Sequence, residues 1–191
     1  MRLFCFGYGY SAESLVRRLS PRDVIAAGTR TSLAEVPEPG VELVAYKGDA
    51  ASADVRKLLV GTTHLLVSIP PDLEGDAVLR QHREDIAALP DLAWIGYLST
   101  VGVYGDHKGA WVDEETPTRP TSERSLRRLQ AEQSWLRFRN ETGRRVEIFR
   151  LSGIYGPGRS IIDNLKAGTA RRIVKPDQVF NRIHVDDIAR V

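Results

Sequence analysis

Residues 3–12 read Leu3-Phe4-Cys5-Phe6-Gly7-Tyr8-Gly9-Tyr10-Ser11-Ala12. A run of four apolar or small residues is followed by two glycines one residue apart, and then by a pattern typical of the start of a helix. Buried parallel strands are continuous apolar runs of this kind, and glycine permits a tight turn directly after such a strand. The stretch therefore predicts a strand, a sharp turn and a helix within the first twenty residues.

Strand-like and helix-like segments continue to alternate beyond this stretch. Such alternation is typical of an α/β fold, a doubly wound parallel sheet that is covered by helices on both faces. Residues 102–120 interrupt the alternation with Gly, Asp, Pro and Thr, so we expect an irregular loop at the carboxyl edge of the sheet. We predict strands at residues 2–6, 24–28, 41–46, 64–69, 93–99, 145–151 and near 179–183, and helices at 11–19, 53–59, 77–89, 121–140 and 161–166.

Composition narrows the class of protein. The 191 residues suffice for one full-sized core, and no apolar run approaches the roughly 20 residues that a membrane-spanning helix needs. The single cysteine, Cys5, forms no internal disulfide, which predicts a cytoplasmic protein. No cluster of His, Cys and carboxylate residues has the spacing of metal ligands, so we predict no metal site. A net charge of +2 gives little support for nucleic-acid binding, although arginines cluster in residues 124–145.

Gly7, Gly9 and Ala12 match the G-x-G-x-x-A pattern of a dinucleotide-binding turn. Gly7 permits the turn, Gly9 allows the backbone to approach a pyrophosphate, and Ala12 keeps the helix close to the strand. We predict that backbone amides around the two glycines and at the helix start, Tyr10 and Ser11, hold a diphosphate with help from the helix dipole. The alternative is an ordinary strand-to-helix turn.

The end of the second predicted strand bears on which cofactor the turn accepts. NAD-selective sites usually place a carboxylate about 20 residues beyond the glycines, where it accepts from the ribose 2′-hydroxyl. This chain has Thr29 and Arg30 there instead. A guanidinium suits a 2′-phosphate, so the sequence favours NADP over NAD. The alternative is that Arg30 is a solvated turn residue.

Four further segments extend the pattern over nearly the whole chain. They are residues 99–105 (STVGVYG), the predicted helix with Glu132, residues 150–158 (RLSGIYGPG) and residues 182–187 (RIHVDD). With the Gly7 turn, they make the chain resemble the extended short-chain dehydrogenase/reductase superfamily, which includes nucleotide-sugar epimerases and dehydratases. The resemblance implies a Rossmann sheet in the order 3-2-1-4-5-6, with chemistry outside the carboxyl ends of strands four to six.

The resemblance also assigns site residues. Asp49 corresponds to the family's adenine-contacting aspartate, and Thr100 to its catalytic serine or threonine, with Ser99 and Tyr104 beside it. The loop that runs past the ribose and pyrophosphate, and the segment that flanks the nicotinamide, are implied to be Ser68, Ile69 and Pro70, and Leu151, Ser152 and Gly153, respectively.

One departure from the family pattern concerns its catalytic helix. Active members carry a Tyr and a Lys four residues apart, and the Lys lowers the pKa of the Tyr so that the phenol can exchange a proton. Counted back from Glu132, these positions hold Arg124 and Arg128. A guanidinium stays protonated near neutral pH and is a poor general acid or base, but it can hold an anion. We therefore take both arginines as candidate site residues.

The same predicted helix has two apolar sides. One of these sides must cover the sheet. For the other we predict a homodimer contact through residues 121–140, and the alternative is that this side is buried inside one chain. One side carries Leu126, Leu129 and Leu136, and the other carries Ala131, Trp135 and Phe138.

Together these observations favour an NADP-binding member of this superfamily. The implied activity is that of an oxidoreductase or a sugar-nucleotide epimerase or reductase, with a small-molecule substrate such as a nucleotide sugar. The alternative is a catalytically inactive NADP-binding regulator or interaction module, and nucleic-acid binding ranks below both. We expect residues 1–191 to form the cofactor domain plus the start of a small C-terminal substrate lobe from about residue 152, in a truncated chain.

Overall fold

The computed structural model describes residues 1–19, 24–33, 39–172, 174 and 179–191. Its strands are β1 (Arg2–Phe6), β2 (Ile25–Arg30), β3 (Val41–Ala45), β4 (His64–Val67), β5 (Trp94–Thr100), β6 (Val146–Leu151), β7 (Gly153–Tyr155) and β8 (Arg182–His184). The first six form one parallel sheet in the order β3-β2-β1-β4-β5-β6, and β7 pairs with β8 separately. The predicted Rossmann strand order is confirmed.

Helices cover both faces of the sheet. They are α1 (Tyr10–Arg18), α2 (Ala53–Leu59), α3 (Ala77–Ala87), α4 (Glu123–Thr142), α5 (Ile161–Lys166) and α6 (Val185–Ile188). The larger core cluster combines side chains of α2, α3 and α4 with one sheet face, whereas α1 packs on the other and is joined to α6 by a Ser14–Asp186 hydrogen bond of 3.1 Å. None of the helices in the described ranges is long and apolar enough to cross a membrane.

The alternation of side chains along β1 explains how one strand serves both cores. Phe4 and Phe6 lie in the larger cluster, and Leu3 and Cys5 lie in the smaller one beside α1. Complete burial raises the pKa of the Cys5 thiol to about 12, so the group stays protonated and packs as a small apolar side chain.

Helix α4 is delimited at both ends by residues typical of helix caps. The Ser122 hydroxyl accepts from the Ser125 amide at the N-terminus, and Gly143 ends the helix with a positive φ of 70°. Ala131, Trp135 and Phe138 are buried against the sheet. Leu126 is exposed and Leu129 and Leu136 are half-buried, so the homodimer contact through this side stays a prediction.

The C-terminal segment departs from the predicted elements. The strand predicted near 179–183 is found as the shorter β8, which spans Arg182–His184 and shares only residues 182 and 183 with the predicted range. The short β7 and α6 were not predicted. Each of β7 and β8 has three residues and pairs with the other rather than with the main sheet, so neither carries an extended apolar run. Residues 173 and 175–178 of the predicted lobe lie outside the described residues.

Candidate functional site

The glycine turn lies at the carboxyl end of β1. Gly7 has a φ of 88°, and a Cβ added there would come within 2.7 Å of the Ser68 Oγ. The Gly7 amide donates to the Thr29 Oγ1 at 2.9 Å, and the Ser68 hydroxyl donates to the Gly7 carbonyl at 2.6 Å. These contacts lock the turn between β2 and the end of β4, so only glycine fits at this position.

The amides within the turn are already hydrogen-bonded. Besides the bond from Gly7 to Thr29, the Tyr8 amide donates to the Thr29 carbonyl at 2.7 Å and the Gly9 amide donates to the Gly7 carbonyl at 3.0 Å. The expectation that the amides around Gly7 and Gly9 hold a diphosphate is corrected in this respect. The two glycines shape the corner, and the available donors lie further along the chain.

Those donors are the first amides of α1. The N-cap of the helix is Gly9, no side chain caps it, and the first bond within the helix runs from the Glu13 amide to the Gly9 carbonyl at 2.8 Å. The amides of Tyr10, Ser11 and Ala12 precede that bond and have no acceptor inside the helix. By contrast, α2, α3 and α4 all have side-chain caps. The start of α1 therefore presents donors and a positive dipole end.

A cavity of about 520 Å³ opens beside this helix start, at the carboxyl edge of β1, β2 and β4. It lies in the volume range of cofactor sites and at the point where the strand order reverses. A Cβ on Gly9 would meet nothing within 4 Å, so the turn leaves space that a ligand could fill. The lining residues are Gly7, Tyr8, Gly9, Glu13, Thr29, Arg30, Thr31, Ser32, Tyr46, Lys47, Ser68, Ile69 and Pro70.

Arg30, the predicted 2′-phosphate ligand, lines the cavity, but its guanidinium is engaged. The Arg30 Nε donates to the Tyr8 carbonyl at 2.9 Å, the Nη2 pairs with the Glu13 carboxylate, and the group lies 5.7 Å from the centre of the Tyr8 ring. Thr29 is almost fully buried, and its hydroxyl serves the Gly7 turn. The cavity therefore contains a cation that has an internal counter-ion.

Four polar residues of this cavity are not among the predicted site residues: Glu13, Thr31, Ser32 and Lys47. Thr31 and Ser32 follow Arg30 directly, and two hydroxyls next to an arginine at a strand end were a signal for a phosphate site. Lys47 follows β3 in the same way, at the same sheet edge. Glu13 gave no local signal, because an acidic residue in a first helical turn is common.

The predicted loop after β4 lies at the cavity, whereas Asp49 does not line it. Ser68, Ile69 and Pro70 are all lining residues. Asp49 is exposed beyond β3, and its backbone carbonyl accepts from the Gln81 side chain at 3.4 Å. The adenine contact of Asp49 stays a prediction.

Thr100 lies at the end of β5, directly beside Leu151 of β6 in the sheet register. Its Oγ1 accepts from the Gly102 amide at 3.2 Å, which leaves the hydroxyl proton for another acceptor. Ser152 and Gly153 continue from Leu151, and a Cβ on Gly153 would come within 2.5 Å of Arg182. The structure therefore places Thr100 and the predicted nicotinamide segment next to each other at one sheet edge.

Ser99, by contrast, belongs to a buried polar cluster under this edge. Its hydroxyl donates to the Glu132 carboxylate, and the Arg150 Nη2 donates to the same carboxylate at 2.8 Å. The Arg150 guanidinium also lies 4.8 Å from the centre of the Tyr104 ring. Ser99 and Tyr104 therefore belong to a cluster that is centred on Glu132 and packs beneath this edge of the sheet.

The two arginines at the family's Tyr and Lys positions differ in their surroundings. The Arg128 Nη1 donates to the Tyr97 hydroxyl at 2.9 Å, to the Leu98 carbonyl at 3.1 Å and to the Ile69 carbonyl at 3.4 Å. Arg124 is exposed on the first turns of α4. Arg128 therefore fastens α4 to the ends of β4 and β5, and in this arrangement its guanidinium offers no proton-transfer group.

A match to a protein-family model shows which family the chain belongs to. Residues 91–191 match the model of the NAD dependent epimerase/dehydratase family. The chain belongs to this epimerase/dehydratase family.

Within the residues that the structure describes, no group of three or more His, Cys, Asp or Glu side chains is arranged to hold a metal ion.

The chain is also similar to individual proteins. The chain is 29% identical to the protein YeeZ of Escherichia coli over 200 residues, covering 95% of this chain and 68% of YeeZ. It is 44% identical to a conserved protein of unknown function from Silicibacter pomeroyi, whose solved structure superposes with a TM-score of 0.83. The match covers 99% of this chain but spans only 65% of that protein.

A more distant solved structure has the same fold as this chain. The UDP-glucuronic acid 4-epimerase of Bacillus cereus, in complex with NAD, superposes with a TM-score of 0.75 at 18% identity. The match covers all of this chain and 71% of that epimerase.

Proposed function

We propose that the protein binds NADP(H) in the cavity at the carboxyl edge of β1 and β2. The single observation that carries the proposal is the combination of an uncapped start of α1 with the open space above Gly9. The amides of Tyr10, Ser11 and Ala12 would hold the pyrophosphate there. Arg30, with the Thr31 and Ser32 hydroxyls beside it, would hold the 2′-phosphate.

Family membership supports a reaction at Thr100 on a small molecule with a hydroxyl or carbonyl group, such as a nucleotide sugar. A bound nicotinamide supplies or accepts the hydride. The Thr100 hydroxyl accepts from Gly102 and keeps its proton, so it can donate to the substrate oxygen and position it. The neighbouring cluster of Ser99, Glu132 and Arg150 would hold the end of β5 rigid.

The positions of Arg124 and Arg128 support a second candidate function. Arg128 is bonded to two carbonyls and a phenol, and Arg124 is exposed, so neither reproduces the proton exchange of a Tyr and Lys pair. On this observation, the alternative is an NADP-binding regulator that carries out no chemistry.

The Thr100→Ala variant separates the two functions. If the protein is an enzyme, wild type should reduce a carbonyl substrate at the expense of NADPH or epimerise a sugar nucleotide with no net change in the nucleotide cofactor. The variant should be up to about tenfold slower because one hydrogen bond to the substrate is lost. NADPH absorbance over time measures net reduction across a substrate panel, and chromatography of the sugar nucleotides measures epimerisation, which leaves that absorbance unchanged. Binding of NADPH without turnover by wild type would favour the regulator.

The Arg30→Ala variant tests the cofactor assignment. NADPH affinity should fall by about 1.5–3 kcal/mol, roughly ten- to hundredfold, because a charge-assisted contact with the 2′-phosphate is lost. NADH affinity should change far less. Fluorescence titration of both nucleotides measures the two constants, and Arg18→Ala, an exposed residue in the last turn of α1, is the matched control. Equal losses for both nucleotides would contradict the NADP assignment.

Three further assignments are proposals that start from the sequence. They are a homodimer formed through residues 121–140, a cytoplasmic location, and a small substrate lobe that begins near residue 152. The outward position of Leu126 on α4 supports the first.

A further inference from the structure

Glu13 is the acidic side chain of the cofactor cavity. Among the described residues that line the cavity, it is the one carboxylate, and Arg30 and Lys47 are the two cations. It lies in the first turn of α1, directly after Tyr10, Ser11 and Ala12. Its carboxylate accepts from the Arg30 Nη2, so it binds the same guanidinium that the proposed 2′-phosphate would need.

The surroundings make this ion pair stronger than an ordinary surface pair. The side chains of Arg30 and Glu13 are only 16% and 29% exposed, so water screens their attraction less than it does at an open surface. The Arg30 Nε donates to the Tyr8 carbonyl at 2.9 Å and fixes the orientation of the guanidinium plane. A phosphate that approaches Arg30 therefore meets a group that is held in place and already neutralised by Glu13.

We propose that Glu13 is a specificity-determining residue that competes with the 2′-phosphate for Arg30. This inference rests on the proposed cofactor site. The 2′-phosphate carries a charge of about −1.5 to −2 at neutral pH, so it can bind only by displacing the Glu13 carboxylate or by tolerating it as a like charge nearby. NADH has no such phosphate and leaves the pair intact. The pair, rather than Arg30 alone, sets the preference between the two nucleotides.

The Glu13→Gln variant tests the competition. It removes the negative charge and keeps the size of the side chain, so the ratio of NADPH affinity to NADH affinity should rise about tenfold. NADH affinity should change little by comparison. Fluorescence titration gives both constants, and thermal unfolding checks that the variant is folded. Glu74→Gln is the matched control, because Glu74 is highly exposed, pairs with Arg80 and does not line the cavity.

A double-mutant cycle tests whether Glu13 and the 2′-phosphate compete for Arg30. In the Arg30→Ala background, Glu13→Gln should no longer raise the NADPH to NADH ratio to the same extent. An unchanged or lowered ratio in Glu13→Gln alone would overturn the proposal, since Glu13 would then only position Arg30. A full rise in the Arg30→Ala background would also overturn it. If wild type binds neither nucleotide, both proposals fail, whereas NADPH binding that depends on Arg30 but not on Glu13 refutes only this one.

Discussion

Gly9→Val is expected to lower NADPH affinity by about a thousandfold, because its side chain would fill the space above the start of α1 and separate a pyrophosphate from several donors at once. The protein should remain folded. Gly9 has an extended backbone, with φ of −123° and ψ of −161°, and its added Cβ meets nothing within 4 Å. As a poorer N-cap, valine should cost only about 1 kcal/mol of unfolding free energy.

Isothermal titration with NADPH, together with thermal unfolding, measures the two effects separately. For Gly7→Ala, in contrast, the main effect should be a lower free energy of unfolding, since Gly7 has a φ of 88° and the added Cβ would come within 2.7 Å of the Ser68 Oγ. Ala51→Val adds bulk at an exposed position outside the cavity and should change neither quantity. Wild-type affinity in Gly9→Val would show that the dinucleotide does not bind at this turn.

Glu132→Ala is expected to have the largest effect on stability, a loss of about 3 kcal/mol, because it leaves Arg150 and the Ser99 hydroxyl without their shared partner. The Glu132 side chain is 2% exposed and that of Arg150 is 22% exposed, so water cannot fully replace the carboxylate. For a chain of this length, the midpoint of thermal unfolding should fall by roughly 6–12 °C. Urea unfolding measures the free energy directly.

Two further variants define the cause of that loss. Glu141, like Glu132, lies on α4, and Glu141→Ala removes a more exposed ion pair with Arg83 of α3, so it should cost less than about 1 kcal/mol. Replacing both partners, Glu132→Leu with Arg150→Met, should recover much of the stability, because no charge then remains buried without a partner. If Glu132→Ala unfolds like wild type, the cluster does not support the end of β5.

The predicted elements agree with the structure best where the apolar pattern is long. The bounds of β1 and α2 match the predicted ranges, and the other main-sheet strands shift by only a few residues at either end. The pattern fails at β7 and β8, since strands of three residues are stabilised by each other and leave no local periodicity to detect.

The candidate site, too, could be predicted from the sequence only in part. A glycine with a positive φ beside a strand and a guanidinium at the next strand end could both be predicted, because each depends on local spacing. The hydrogen bonds of the turn could not. The Thr29 hydroxyl takes the Gly7 amide across two strands, so the donors shift to the start of α1.

By itself, the sequence determined the α/β class, the strand order through its family resemblance, and the position of the glycine turn, since these depend on patterns within single elements. Only the tertiary structure decided which polar groups meet. Glu13 reaches Arg30 from another element, and Ser99, Glu132 and Arg150 come together from β5, α4 and β6. Such pairs depend on how elements pack in three dimensions, and hydrophobic periodicity along one element carries no information about them.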